Sequence, residues 1–219
     1  MNTTIYDFFI TKADKKEFWD KRVLEVGSRD VNGSLRPFIE LYLHPKLYIG
    51  VDIENGKGVD RIIPAEELTK NFGIGSFDVV LSSEMLEHVI DWRKVINEMK
   101  SVLKESGYIY LTTRSLGFVR HSYPYDCWRF ELDDMRQIFS DFEILKLEKD
   151  KDTPGVLLKA RKPMNWKQND LLGLAMYSMI LEKRTPFVQE PKDMPVRVKM
   201  KIWLQEIRRI AGIVSRHFF

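Results

Sequence analysis

Glu25, Gly27, Gly33 and Asp52 have the types and spacing to hold a nucleoside. The segment VLEVGSRDVNG, residues 23–33, reads as an apolar strand ending at Glu25 and Gly27, with Gly33 closing a turn before a helix. Such a unit presents backbone N–H groups and a small-residue surface to a nucleotide-like ligand. Nineteen residues after Gly33, the strand-like run LYIGVDI carries Asp52 near its end. That is where an acid normally takes a ribose hydroxyl pair. The glycine turn alone would be weak; turn and acid in register with two strands imply a nucleoside-containing cofactor. The dinucleotide fingerprint G-x-G-x-x-G is absent, because Ser28, Arg29, Asp30, Val31 and Asn32 fill the turn. Bulky residues there disfavour the close approach that a pyrophosphate needs.

A second group of chemical residues lies downstream. His88, preceded by Glu87, has a side chain suited to act as a general base at neutral pH. The plainer reading, in which His88 packs and bonds locally to shape its loop, is preferred. The loop RSLGFVRHSYPYDCWRF, residues 114–130, carries Arg114, His121, Tyr123, Tyr125, Asp126, Trp128 and Arg129. Aromatic rings among charged and polar groups suit an acceptor with hydroxyls, such as a sugar, or an anionic one. In that reading His121 or Asp126 takes the hydroxyl proton. The competing reading is a structural lid, with an Asp126–Arg129 ion pair and with Trp128 and Phe130 in the core. The two stand near even.

The elements that must position these residues alternate as a parallel doubly wound sheet requires. The pattern predicts a leading helix over 4–19, with Tyr6, Phe9, Ile10 and Trp19 packing on the sheet. It then predicts strands at 22–26, 47–53, 59–63, 77–82 and 107–113, and helices near 33–42, 91–104 and 131–140. FEILKLEKD and TPGVLLKAR read as a closing antiparallel hairpin. DLLGLAMYSMILEKR, residues 170–184, reads as an apolar helix.

From about residue 20 to about residue 162 the chain resembles the class I S-adenosylmethionine-dependent methyltransferases, of the type 11-like kind. The resemblance rests on the acidic-x-Gly motif (Glu25, Gly27), Asp52, the PAEEL segment (64–68), FDVVLSSEMLEHV (77–89) and SVLKESGYIYLTT (101–113). It implies a Rossmann-like α/β fold: a doubly wound, seven-stranded, mostly parallel sheet with a terminal antiparallel hairpin, here followed by a C-terminal helical extension. It implies S-adenosylmethionine as cofactor and S-adenosylhomocysteine as product. Glu25 would anchor the amino-acid end, and Gly27 would let the methionine portion lie on bare backbone, with Ser28 and Arg29 completing the turn. Asp52 would accept from both ribose hydroxyls and Ile53 would meet the adenine face. Ala65 and Glu66 lie nearest the adenine amino group, and Ser83 and Glu84 where the activated methyl emerges. The family pattern has further glycines where Arg29 and Val31 stand, which puts the path of the loop in question.

Composition sets limits. With 44% hydrophobic and 31% charged residues, the 219-residue chain reads as a soluble domain (1–162) plus an appendage (163–219). Cys127 is the only cysteine, and no CxxC or HExxH spacing occurs, so no internal disulfide and no metal site is expected. The charged N-terminus does not read as a signal peptide, and a cytoplasmic location is expected. Residues 163–219 hold ten Lys/Arg against five Asp/Glu, a balance of +5 within an overall +3. In residues 196–219, Met200, Trp203, Leu204 and Ile207 share one helical face, opposite Lys201, Arg208 and Arg209. Such a face packs on protein, through self-association or its own domain, or rests peripherally on the inner membrane surface. Nucleic acid is disfavoured, since this charge is modest beside a basic stripe.

Neither an Asn/Asp-Pro-Pro-Tyr signature nor a Pro-Cys pair is present, so amino-methylation of nucleic acid and cytosine-C5 chemistry are disfavoured. The leading expectation is O-methylation of a small molecule or glycan precursor by SN2 transfer. The alternatives are RNA or protein methylation, or a non-catalytic binding module of the same fold.

Overall fold

The computed structural model describes residues 3–121 and 125–188, together with positions 196, 199, 200, 203, 204 and 207. Helix α1 (Thr3–Lys12) and the short α2 (Lys15–Phe18) precede strand β1 (Arg22–Val26). The expected single helix over 4–19 is thus broken, because the Asp14 side chain accepts from the Lys16 N–H and caps a new start. Ile5, Phe8, Phe9 and Phe18 are buried, whereas Ile10 and Trp19, expected on the sheet, are exposed. Next come α3 (Arg36–Phe38), which runs into a π-helical turn over Ile39–Leu43, then β2 (Leu47–Asp52), β3 (Arg61–Ile62), α4 (Leu68–Phe72) and β4 (Phe77–Ser83). They are followed by α5 (Trp92–Val102), β5 (Leu103–Arg114), β6 (Trp128–Arg129), α6 (Leu132–Ile138), β7 (Glu143–Lys149), β8 (Gly155–Arg161), β9 (Met176–Ser178) and β10 (Lys183–Thr185).

Seven strands form one sheet in the order β3-β2-β1-β4-β5-β8-β7. The first five of these run parallel, and β8 is antiparallel to both β5 and β7. The chain reverses direction of build between β1 and β4, which puts a crevice at the carboxyl ends of these strands. Strand β4 shows why the sheet is covered on both faces. Val79 and Leu81 pack with Ile5, Phe8, Phe9 and Phe18, while Val80 packs with Trp92, Ile96 and Met99 of α5 on the other side. An apolar run without polar alternation is what a strand buried on both faces requires.

Residues 170–184, expected as a helix, instead contribute β9 and β10, which form a second sheet in the order β10-β9-β6. The strand β6 supplies an edge whose backbone groups need partners, and Trp128 and Arg129 pair with Ser178 and Tyr177. Met176 and Ser178 are buried with Tyr177 between them less so, a period of two rather than 3.6. Leu171, Met176, Ile180 and Val188 join the same core as α5 and the central strands. Arg93 on α5 fastens the segment further, donating to the Leu171 carbonyl at 2.8 Å and to the carbonyls of Leu174 and Pro186. Val196, Met200, Trp203, Leu204 and Ile207 are helical and exposed. The other positions of the expected amphipathic helix lie outside the described residues. Among the described residues no helix is long and apolar enough to cross a membrane.

Candidate active site

The turn after β1 is built from backbone bonds to the neighbouring strand. Gly27 and Ser28 both donate to the Val51 carbonyl, at 2.9 and 3.0 Å. Gly27 has φ +78°, and a Cβ there would stand 2.5 Å from Met85 Cγ, so glycine is required both by the backbone and by the neighbour. The Arg29 N–H donates to Asp52 Oδ2 at 3.2 Å, and the Glu54 N–H donates to Asp52 Oδ1 at 3.1 Å. Each oxygen of Asp52 keeps further acceptor capacity at the mouth of the crevice. The Arg29 side chain pairs with Glu54, and both are well exposed.

The missing family glycines are explained by a brace. Asp30 N–H donates to the Lys57 carbonyl at 2.8 Å, and Lys57 Nζ reaches Asp30 Oδ2 at 2.7 Å. Gly58 has φ +89°, and a Cβ there would meet the Ser28 carbonyl at 2.5 Å. The segment 56–58 therefore lies directly against residues 28–30 and fixes a turn that glycines do not relax. Ser28 is a correction: its side chain is buried and faces Gly50, where an added Cβ would stand 2.6 Å from Ser28 Oγ. It packs the turn and does not line the crevice. Neither Gly50 nor Gly58 was legible as a site residue, since isolated glycines in a strand and loop carry no such signal.

Glu25 is buried and accepts from Tyr48 Oη at 2.6 Å. Burial outweighs that bond and pushes its carboxyl up to about 7. Ile53 is 68% exposed just past Asp52, an apolar surface open to a flat ring. Ile63 N–H donates to the Asp52 carbonyl at 2.9 Å, which brings the following Pro64, the buried Ala65 and the half-buried Glu66 alongside. Bare backbone at Gly27, a carboxylate at Asp52 and an exposed apolar side chain at Ile53 fit a nucleoside with an amino-acid arm.

Ser83 and Glu84 end β4 beside this turn. Glu84 has φ +56°, and its N–H donates to the Thr112 carbonyl at 3.0 Å, which aims the side chain across to β5. There Glu84 pairs with Arg114 and accepts from Thr112 Oγ1 at 3.1 Å. Burial, with the charge of Glu87 close by, pushes the Glu84 carboxyl up to about 8 despite Arg114. Arg114 also donates to Thr153 Oγ1 at 2.8 Å and lies 4.0 Å over the Phe118 ring. Its charge is paired with Glu84 and it is mostly buried, so its expected role in holding substrate is corrected to one of holding Glu84.

The loop after β5 divides into a buried half and an open half. Arg129 is fully buried; its Nη2 donates to Asp126 Oδ2 at 2.8 Å, and the pair is closed by a second bond. The Arg129 guanidinium holds the Asp126 carboxyl well below the usual carboxylate range, even against burial. A carboxylate so held is a poor proton acceptor, which corrects its expected role as general base. Trp128 is fully buried with Nε1 donating to the Val89 carbonyl at 2.9 Å, so Trp128 and Arg129 are core residues, not substrate contacts. Tyr125 is exposed, and Tyr123 lies outside the described residues.

His88 and His121 meet in the open half. Their rings stand edge to face with centroids 4.7 Å apart. His88 Nδ1 bonds the Tyr125 carbonyl at 2.8 Å, which assigns a proton to Nδ1 and leaves Nε2 as the ring nitrogen facing Glu87. His121 receives two supports from Asp126: its N–H donates to Oδ2 at 2.8 Å, and Nδ1 stands 3.4 Å from the same oxygen. Beneath them Glu87 is fully buried and accepts from Thr113 Oγ1 at 2.8 Å. The adjacency of His88 and His121 was not visible along the chain, where helix α5, strand β5 and a loop separate them.

Comparison with known proteins bears on this geometry. A family model described as a methyltransferase domain matches residues 5–150. No curated protein matches the sequence. Among solved structures, an S-adenosylmethionine dependent methyltransferase from Mesorhizobium loti superposes with a TM-score of 0.56 at 15% identity, covering 74% of this chain and 99% of that one. The 1,6-didemethyltoxoflavin-N1-methyltransferase of Burkholderia thailandensis, with bound 1,6-didemethyltoxoflavin and S-adenosylhomocysteine, gives 0.56 at 14% identity over 73% of this chain and 76% of that one. Phosphoethanolamine N-methyltransferase 2 of Haemonchus contortus, in complex with S-adenosyl-L-methionine, gives 0.54 at 15% identity over 74% and 53%. At such identities the likeness is one of fold.

Proposed function

The chain belongs to the family of methyltransferase domains, and we propose that it moves a methyl group from S-adenosylmethionine to an oxygen of a small molecule or glycan precursor. The cofactor is S-adenosylmethionine. When bound, it supplies an electrophilic methyl whose bond to sulfur breaks as the acceptor forms its own bond to carbon. The protein's part is mainly to place the acceptor in line, an effect of proximity and orientation.

The observation that carries the reading is the junction of two halves at one edge of the sheet. On one side the turn at Gly27 is tied to Asp52 through Arg29; on the other, His88 and His121 face each other over Glu87. Asp52 would hold the ribose hydroxyls, Ile53 and the Ala65–Glu66 turn the adenine, and Glu25 the amino-acid end. A hydroxyl acceptor must lose its proton as the new bond forms, and the imidazole cluster would lower the cost of that loss. An amine acceptor would need only to be deprotonated before transfer. The loop from Leu116 to Tyr125, with its exposed Leu116, Val119 and Tyr125, would meet the apolar face of a sugar or ring.

The exposed apolar positions Met200, Trp203, Leu204 and Ile207 support self-association as the role of the C-terminal helix, with a peripheral membrane contact as the outcome that would replace it. The test of the reaction is a mass-shift assay with S-adenosylmethionine against a panel of sugars and hydroxylated ring compounds. A gain of one methyl on oxygen, absent in the His121→Ala variant, is the expected result. Methylation confined to amines, or to RNA in a strongly salt-dependent manner, would replace this reading.

A further inference from the structure

The cluster at the acceptor side holds more than a pair of imidazoles. One ligand atom from each of Glu87, His88 and His121 lies within 4.8 Å of the other two. Glu87 is fully buried, and its Oε1 has no hydrogen-bond partner among the described residues, standing 3.8 Å from His88 Nε2. A buried carboxylate oxygen without a hydrogen-bond partner is costly, and such an atom calls for a partner such as an ion. His88 meets the condition seen at imidazole ligands: its Nδ1–H donates to a backbone carbonyl, so Nε2 is the ring nitrogen turned toward Glu87. His121 is braced from behind by Asp126, whose second oxygen is held by Arg129.

We propose that Glu87, His88 and His121 bind a divalent transition-metal cation at the acceptor side of the crevice. Two imidazoles and one carboxylate suit Mn²⁺, Fe²⁺, Co²⁺ or Zn²⁺ rather than Ca²⁺ or Mg²⁺. Ligand atoms around such an ion lie about 3.4 Å apart for bonds of about 2.1 Å in tetrahedral geometry, so the three side chains must close by up to about 1.4 Å to complete the set. Three protein ligands leave at least one position open, and His88 and His121 are both partly exposed on that side. The open position takes an oxygen ligand, water or the acceptor hydroxyl, and lowers its pKa. That last role rests on the O-methylation reading above; the binding of the metal does not. The site also explains why a paired, buried Asp126–Arg129 unit stands behind a loop histidine.

Cobalt titration of the purified, metal-stripped full chain tests the proposal, since Co²⁺ on nitrogen and oxygen ligands gives visible d–d bands. A single saturable equivalent of Co²⁺, displaced by Zn²⁺ and weakened about tenfold or more in His121→Asn and His88→Asn, is the expected result. His121 is partly exposed, so His121→Asn is the variant that keeps its fold, checked by an unchanged far-ultraviolet circular dichroism spectrum. No saturable Co²⁺ or Zn²⁺ binding by the folded chain, or equal binding in His121→Asn, overturns the site. S-adenosylhomocysteine titrated into the same metal-free samples separates the two readings. Cofactor binding without metal binding sinks only the metal site; metal binding without cofactor binding sinks only the methyl-transfer reading.

Discussion

The backbone N–H of Arg29 donates to Asp52 Oδ2 at 3.2 Å, so the turn after β1 and the acid at the end of β2 are one unit. A residue that interrupts the family's glycine pattern thus supplies a bond within the pocket through its main chain, and its side chain leaves toward Glu54.

Gly27→Ala tests how tightly that turn is specified. With φ at +78° and Met85 Cγ 2.5 Å from the added Cβ, the variant bears the left-handed cost of about 1–2 kcal/mol and a displaced Met85. The expected outcome is a lowered Tm together with lost S-adenosylhomocysteine binding. Gly75→Ala is the matched control, since Gly75 also has positive φ (+62°) but nothing within 4 Å of its Cβ. It should lose stability without losing affinity for S-adenosylhomocysteine; equal affinity loss in both would mean that the turn at Gly27 is not special.

Glu25 predicts a pH dependence of definite sign. Its folded pKa is raised from 4.5 to about 7, so between these values the native state keeps a proton that the unfolded chain has released. Stability therefore falls as pH rises through that window, by about 3 kcal/mol at most. An ammonium group of the cofactor beside Glu25 favours the carboxylate, so binding releases this proton and affinity rises with pH up to about 7 and then levels. Calorimetry in buffers of different ionisation enthalpy reads the released proton directly. The same proton release in Glu25→Gln would place its source elsewhere.

Asp126 and His121 separate stability from turnover. Asp126→Ala leaves the fully buried Arg129 without its charge partner, and the expected loss is about 3–5 kcal/mol. His121→Ala removes a partly exposed side chain and should change stability by about 1 kcal/mol or less while abolishing methyl transfer. Chemical denaturation of both variants decides it, and a stable Asp126→Ala protein would show the buried pair to be dispensable.

Removal of residues 196–219 tests the exposed face of Met200, Trp203, Leu204 and Ile207. A shift from a larger species to the monomer in light scattering is the expected result. An unchanged size, joined to lost sedimentation with anionic vesicles, would make the helix a membrane contact instead.

The sheet, and the glycine turn and strand-end acid on which the proposed cofactor pocket rests, were legible because each has a local signature. FDVVLSS is an apolar run too short for a helix, and Asp52 ends a similar run at a fixed distance from a glycine turn. The acceptor half was not, because its residues act through burial and partners distant in sequence. For Asp126 and Arg129 the residue types left substrate chemistry and a structural ion pair near even, and burial decided for the pair. His88 and His121 gain meaning only from being face to edge, which no spacing encodes. Residues 170–184 were misread for a related reason: their apolar content served a helix or a strand equally, and the open edge of β6 decided for strand.

The most direct measurement is calorimetric titration of S-adenosylmethionine and S-adenosylhomocysteine into the intact chain and into its Asp52→Ala variant. The account predicts micromolar binding by the intact chain and none detectable in the variant, with both proteins folded. Equal affinity in the two, or no binding by the folded intact chain, would contradict it.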